Sequence, residues 1–189
     1  TYAGAINVNN GTLAVTVNNA LGANSQGTTV ASGATLDLQN VAYSTAEGIS
    51  LAGTLATSTG TSSFAGNVGL AATADVNVGG TQLTLSGVVS GAGADLVKNG
   101  TGTLVLSNGT NSYDGGTTIG AGTLTVTAAG AAGSGAIDIG ANTLNINGGI
   151  SLSNAVTITT GTIGNTAGTG ALSGGVSLNG NASLNSTGG

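Results

Sequence analysis

The stretch GTGTLVLSNGTNSYDGGTTIGAGTLTV, residues 100–126, decides how this chain folds. Its second half returns at the start of the chain as TYAGAINVNNGTLAV, residues 1–15. Tyr2 matches Tyr113, Gly4 matches Gly115, and Gly11-Thr12-Leu13 matches Gly122-Thr123-Leu124, all at the same offset. The chain is therefore expected to begin inside a repeat and to be one piece of a longer repetitive protein. Other similarities sit on top of this one. Gly48-Ile49-Ser50-Leu51 resembles Gly149-Ile150-Ser151-Leu152, and residues 66–70 resemble residues 174–178 at offset 108. A long internal repeat follows, with copies at 1–111 and 112–189, the second incomplete, inside a single segment spanning 1–189.

Inside the stretch, Thr103-Leu104-Val105-Leu106 and Thr123-Leu124-Thr125-Val126 share a short alternating pattern. The same pattern recurs at residues 5–8, 12–17, 35–38, 75–78, 82–85, 136–139, 143–146, 156–159 and 176–178. Apolar residues at i and i+2 put Leu, Val and Ile on one face and Thr, Asn, Asp or Ser on the other, which is the strand signature. Gly, Asn and Ser bound each segment and supply the turns. Helix-forming Lys, Arg, Glu and Gln are scarce.

Spacing then selects the architecture. Thr-Leu pairs begin at Thr103, Thr123 and Thr143 in equal steps, and upstream at Thr12, Thr35 and Thr54 in similar ones. A period of about 20 residues holding two or three short strands is the rung of a β-solenoid. No rung buries its own apolar face. Stacking closes a thin continuous core, with roughly nine rungs in the chain. Drift in the longer offsets fits this, since lengthening a turn costs only ~0.6 kcal/mol per doubling.

Composition agrees and excludes several function classes. Apolar residues are 39% of the chain, yet there is one Phe, three Tyr, and no Trp or Met. Such a core is thin and has the backbone close around it. One basic residue against six acidic ones gives a net charge of −5. Nucleic-acid binding needs many cations and is excluded, as is an electrostatic anchor to anionic lipid. Pro is absent and the apolar residues are periodic, which argues against disorder. No apolar run approaches the ~18 residues of a membrane span, and Cys is absent, so no disulfide or thiolate site exists.

The stretch at 100–126 resembles the passenger-associated transport repeat, also called the autotransporter-associated β-strand repeat. Gly100, Thr101, Gly102, Thr103, Leu104, Leu106, Ser107, Asn111, Tyr113, Gly115, Gly116, Thr117, Ile119, Gly122, Thr123 and Leu124 carry the resemblance, with Lys98 just ahead. The half-copy adds Tyr2, Gly4, Gly11, Thr12 and Leu13. These are the candidate structural residues of the motif. The resemblance implies an all-β, right-handed parallel β-helix, exported by a Gram-negative bacterium to its outer surface or the extracellular space. It implies an adhesin or matrix component whose repeat helps translocation and folding outside. It brings no catalytic residues and no cofactor.

Candidate sites divide as follows. With no His and no Cys, nucleophilic catalysis lacks its base. The six acids Asp37, Glu47, Asp75, Asp95, Asp114 and Asp138 are scattered, and stacking alone could bring Asp114 near Asp138. No catalytic, cofactor-binding or metal residues are therefore assigned. Gly133-Ser134-Gly135-Ala136-Ile137-Asp138 is a single faint echo of a calcium-binding coil. Asn-Gly pairs at 10–11, 99–100, 108–109, 147–148 and 179–180 read as turns, and stacked Asn could form amide ladders. Asn10, Asn99, Asn108, Asn181 and Asn185 satisfy the glycosylation sequence, which chance explains in so Asn- and Thr-rich a chain. Tyr2 and Tyr113 read as corner residues covering the core. Thr-x-Thr on a flat solenoid face would suit ice, but Thr125/Thr127 is followed by Asn145/Asn147.

The expectation is a structural rod, an adhesin stalk or fibre building block. Its partners are neighbouring rungs of the same chain or identical subunits stacked end to end. Two alternatives remain open. One is a carbohydrate- or surface-binding module for surface or matrix glycans. The other is a passive scaffold for a catalytic domain outside this segment.

Overall fold

The computed structural model describes residues 2–22, 26–45 and 47–188. Among them lie twenty-four strands of two to five residues, and every pairing between them is parallel. The chain winds through three faces in turn, so each strand pairs with its counterpart one rung away. The first face starts at Ile6–Val8 and runs through Thr28–Val30, Ile49–Leu51 and Val68–Leu70 to Val89–Ser90. It resumes as the separate pair Ser151–Leu152 and Ala171–Leu172. The second face is continuous, nine strands from Thr12–Val15 to Val176–Leu178. The third holds eight, from Ala42–Tyr43 to Ser183–Ser186.

This is a parallel β-solenoid. Nine strands on the second face make eight steps, and Thr12 pairs with Thr35 and Thr35 with Thr54 at its start. At ~4.8 Å per step the stack extends ~38 Å. The two Thr-Leu series stack as their spacing requires. Thr12, Thr35 and Thr54 are in register on the second face, and Thr103, Thr123 and Thr143 on the third.

The core is a set of apolar columns. Leu36, Leu55 and Val76 sit one above another on the second face, and Leu83, Leu104, Leu124 and Leu144 on the third, all fully buried. Each buried Leu contributes about 2 kcal/mol, and a rung's few such side chains are held only when its neighbours cover them. Tyr43 and Phe64, the bulkiest packed pair, lie ring to ring at 5.2 Å on the third face.

Polar residues interrupt the inward columns at several places, and one of them, Thr57 beside Val78, is buried with no hydrogen-bond partner for its hydroxyl among the described residues. Thr28 lies between Ile6 and Ile49, and its hydroxyl donates 3.0 Å to Glu47 Oε1. Ser62 lies beneath Leu83 and donates 2.8 Å to the Leu38 carbonyl. Lys98 lies between Val76 and Ile119, and Thr117 between Leu96 and Ile137. Thr28, Ser62, Lys98 and Thr117 are buried and hydrogen-bonded, which offsets the cost of placing them in a dry core.

Candidate functional site

The motif at residues 98–124 builds little more than one rung, and its polar residues do the work of a missing strand. The first face has no strand between Val89–Ser90 and Ser151–Leu152. Asn111 fills the near side of that gap with its side-chain amide. Its Oδ1 accepts from Val89 N at 2.8 Å in the rung below, and its Nδ2 donates to Ala131 O at 2.7 Å in the rung above. A side-chain amide thus stands in for a peptide group in the ladder. Asn154 closes the far side, its Nδ2 donating to Gly133 O at 3.1 Å and Gly135 O at 2.7 Å. Asn side chains elsewhere also bridge rungs, mostly to backbone. Asn18 accepts from Ala42 N and Asn67 from Val88 N, and Asn142 donates to Ile119 O. These contacts, rather than stacks of Asn on Asn, are how the side chains link successive turns.

Tyr113 follows Asn111 by two residues and turns into the core. It is fully buried, and its hydroxyl shares a 2.8 Å hydrogen bond with Thr117 Oγ1. That pair explains why a Thr occupies an inward position four residues on. Burial pushes the Tyr113 phenol up to about 12, and the Thr117 contact pulls slightly the other way. Tyr2, the matching residue, is 53% exposed and donates to Ala5 O at 3.2 Å. Tyr43 is buried as well, its hydroxyl donating to Gly22 O at 3.1 Å. Exposed Tyr side chains are therefore not aligned across the described rungs.

Lys98 is the only basic side chain in the sequence, and it points inward. Its stem fills a Val/Ile position in the column, and its ammonium reaches the turn between the second and third faces. There Nζ donates to Asn99 O at 2.8 Å, Gly100 O at 2.8 Å and Ala121 O at 3.0 Å. Three donors meet three acceptors, so the ammonium is fully satisfied. Burial pushes its pKa down to about 8, with the Asp75 carboxylate opposing.

The glycines of the motif mark close backbone approach. Gly122 has φ +73°, and a Cβ there would sit 2.5 Å from Gly102 O. A Cβ on Gly102 would in turn meet Gly80 O at 2.1 Å, so this turn is a column of glycines packed backbone on backbone. A Cβ on Gly100 would meet Val78 O at 2.3 Å. Gly115 lies over Asp95 and Ala94 of the rung below, and Gly116 opens the strand Gly116–Ile119. Thr103-Leu104 and Thr123-Leu124 start adjacent strands of the third face, with each Leu buried and each Thr half-exposed. In the half-copy, Gly4 lies against the Tyr2 ring, Gly11 is open to solvent, and Thr12 and Leu13 begin a strand of the second face.

Each acidic residue accepts from its own partners: Asp37 from Gln39 and Ser58, Glu47 from Thr28, Asp75 from Thr54 and Asn99, and Asp95 from Thr73. Asp114 accepts from Gly93 N, while Asp138 accepts from Gly140 N, so the two do not form a working pair. Among the described residues no three of His, Cys, Asp or Glu gather where a metal could bind, and no helix is long and apolar enough to cross a membrane. The strand Thr123–Val126 ends before Thr127, so the outward pair is Thr123/Thr125 rather than Thr125/Thr127. Its neighbours are Thr103/Val105 and Thr143/Asn145, a regular Thr column beside an irregular one.

A motif whose Asn bridges rungs, whose Tyr is core and whose Gly residues pack backbone on backbone is a structural cassette. Residues 1–15 and 96–126 match the passenger-associated transport repeat. Over these two stretches the chain is similar to that repeat. An adhesin autotransporter, BmaC, of Brucella suis biovar 1 (strain 1330) is 54% identical over 59 residues. That stretch is 31% of this chain and 2% of the relative, so the chain spans a small part of it. No solved structure matches the chain. The match to the transport repeat begins at residue 96 and so takes in Lys98 and its strand.

Proposed function

We propose that this segment is a passive structural rod in a bacterial surface or extracellular protein, the stalk of an adhesin. The observation that carries the reading is the use of the transport repeat's own polar residues. Asn111, Tyr113, Thr117 and Lys98 are all turned to neighbouring rungs or the core, which leaves none of them to meet a ligand. The adhesin relative supports the surface location and the stalk role. The carboxylates are engaged one by one with separate partners rather than in a working pair.

The segment's partners are other rungs. Val176, Leu178 and Leu184 on the last described rung are 47%, 62% and 82% exposed, and they line an apolar cleft of about 500 Å³ with Ile158, Ile163 and Leu172. A further rung, from the same polypeptide or a second copy, covers that surface by extending the parallel ladders. Electron microscopy and a glycan-binding screen on this chain test the proposal together. Elongated particles that bind no glycan are expected. Compact particles, or saturable binding of a glycan, overturn it.

A further inference from the structure

We propose that the long repeat is a unit of five and one third turns, so that each copy is rotated about the rod axis by one face relative to the last. The offset that carries Tyr2 to Tyr113 also carries Ile6–Val8 to Thr117–Ile119, and Thr12–Val15 to Thr123–Val126. The first pair lies on the first and second faces, the second pair on the second and third. The motif has moved one face around while keeping its local structure.

That local structure is closely kept. The turn after Thr12–Val15 is closed by Ala20 N to Val17 O at 3.3 Å and Gly22 N to Asn19 O at 3.2 Å. The turn after Thr123–Val126 is closed by Ala131 N to Ala128 O at 3.0 Å and Gly133 N to Gly130 O at 3.1 Å. Each of these residues stands at the same offset from its counterpart as Tyr2 from Tyr113. Gly22 packs on the carbonyl of Tyr2, and Gly133 packs on the carbonyl of Tyr113, where added Cβ atoms would meet the oxygen at 2.0 Å and 2.3 Å. In the first copy this turn takes the third side of its rung; in the second it takes the first side, where the ladder is broken.

The rotation persists to the end of the chain. Ile49–Leu51 on the first face corresponds to Val156–Ile158 on the second, and Thr54–Thr57 on the second to Thr162–Asn165 on the third. Val68–Leu70 on the first face corresponds to Val176–Leu178 on the second. The unit therefore holds sixteen strand positions, five rungs of three faces and one face more. The similarity between residues 48–51 and 149–152 has a different meaning. Both stretches lie on the first face, five whole turns apart.

A three-sided solenoid tolerates this because strand spacing and pairing are the same on every side. What a strand needs is an apolar column beneath it, and all three sides supply one. The consequence is helical display. Three successive copies put the turn equivalent to Val17–Gly22 on three different sides, and the pattern returns after sixteen turns, ~77 Å along the axis. A partner lying along one side would meet only every third copy.

Spin-label distances in the intact chain test this, and the absence of Cys makes labelling specific. Thr12, Thr35, Thr54, Asp75, Val97 and Thr118 form one register column, so Thr12 and Thr118 are five steps apart on the same face, ~24 Å along the axis. Asn7 and Thr118 are repeat equivalents on different faces. All three side chains are exposed. The T12C/T118C pair is expected to give the shorter distance and N7C/T118C the longer. A shorter N7C/T118C distance places the equivalents on one side and overturns the rotation. A second set, T54C/T157C against S50C/T157C, asks the same question in other rungs and is expected to give the same order.

Discussion

Lys98 Nζ donates at 3.0 Å to the carbonyl of Ala121, one rung along the stack. Two further carbonyls, of Asn99 and Gly100, complete its partners. A single ammonium therefore joins two turns at the point where the chain passes from the second face to the third. Replacing it by Met keeps the stem and strands three carbonyls. Lys98→Met is expected to lower stability by about 1 to 3 kcal/mol, read as the urea midpoint. A midpoint equal to or above the parent's contradicts the role.

The same side chain gives the chain an unusual alkaline profile. Folding lowers the Lys98 value from 10.5 to about 8, so the folded state binds fewer protons between those limits. Stability then rises with pH from about 8 to 10.5. Tyr113 acts in reverse. Folding raises it from 10.0 to about 12, so its contribution is full below 10 and lost as pH climbs towards 12. Each is worth on the order of 2 to 3 kcal/mol. Urea midpoints are expected to peak near pH 10, and in Lys98→Met the rising limb should vanish. A monotonic fall from pH 8 in the parent contradicts the burial of Lys98.

Asn111 predicts a local effect. Asn111→Leu leaves Val89 N and Ala131 O without partners across the broken first face. About 1 to 3 kcal/mol is expected to be lost, with hydrogen exchange at the Val89 amide faster by tenfold or more. Unchanged protection at Val89 rules out the side-chain bridge.

The glycine column separates crowding from backbone conformation. Gly122 and Gly93 share a left-handed conformation, φ +73° and +67°. Around Gly93 an added Cβ meets nothing within 4 Å, whereas at Gly122 it meets Gly102 O at 2.5 Å. Gly93→Ala is expected to cost about 1 kcal/mol and Gly122→Ala distinctly more, as thermal shifts. Equal shifts would mean the rungs do not approach as closely at this turn.

Strands legible in the sequence have apolar inward positions within an alternating run of four or more residues, as in Thr35–Leu38, Thr103–Leu106 and Thr143–Ile146. Their Thr-Leu spacing set the rung length and predicted the stacking partners. The strands Thr28–Val30, Thr61–Phe64, Asp95–Asn99 and Gly116–Ile119 each carry a polar residue facing the core, and alternation alone passes over them. The reason lies in their partners. Thr28 needs Glu47, Thr117 needs Tyr113 and Lys98 needs Ala121, contacts that depend on the fold rather than on spacing. Asn111 stands out in the sequence as a motif residue, but that its side chain bridges rungs is visible only once the gap in the first face is located.

The exposed apolar end predicts concentration-dependent association. Leu178→Asn with Leu184→Asn alters side chains 62% and 82% exposed, so folding should be spared. Sedimentation is expected to show end-to-end oligomers for the parent and monomers for the double variant. Identical sedimentation would remove this surface as a stacking site.

The most direct test of the rung-on-rung stack is nuclear Overhauser contact between backbone protons of successive rungs. The register predicts parallel-strand contacts between Thr103 and Thr123, Thr123 and Thr143, Thr12 and Thr35, and Thr35 and Thr54. Their presence establishes the solenoid. Antiparallel contacts between sequence-adjacent strands, such as 82–85 with 74–78, would contradict it.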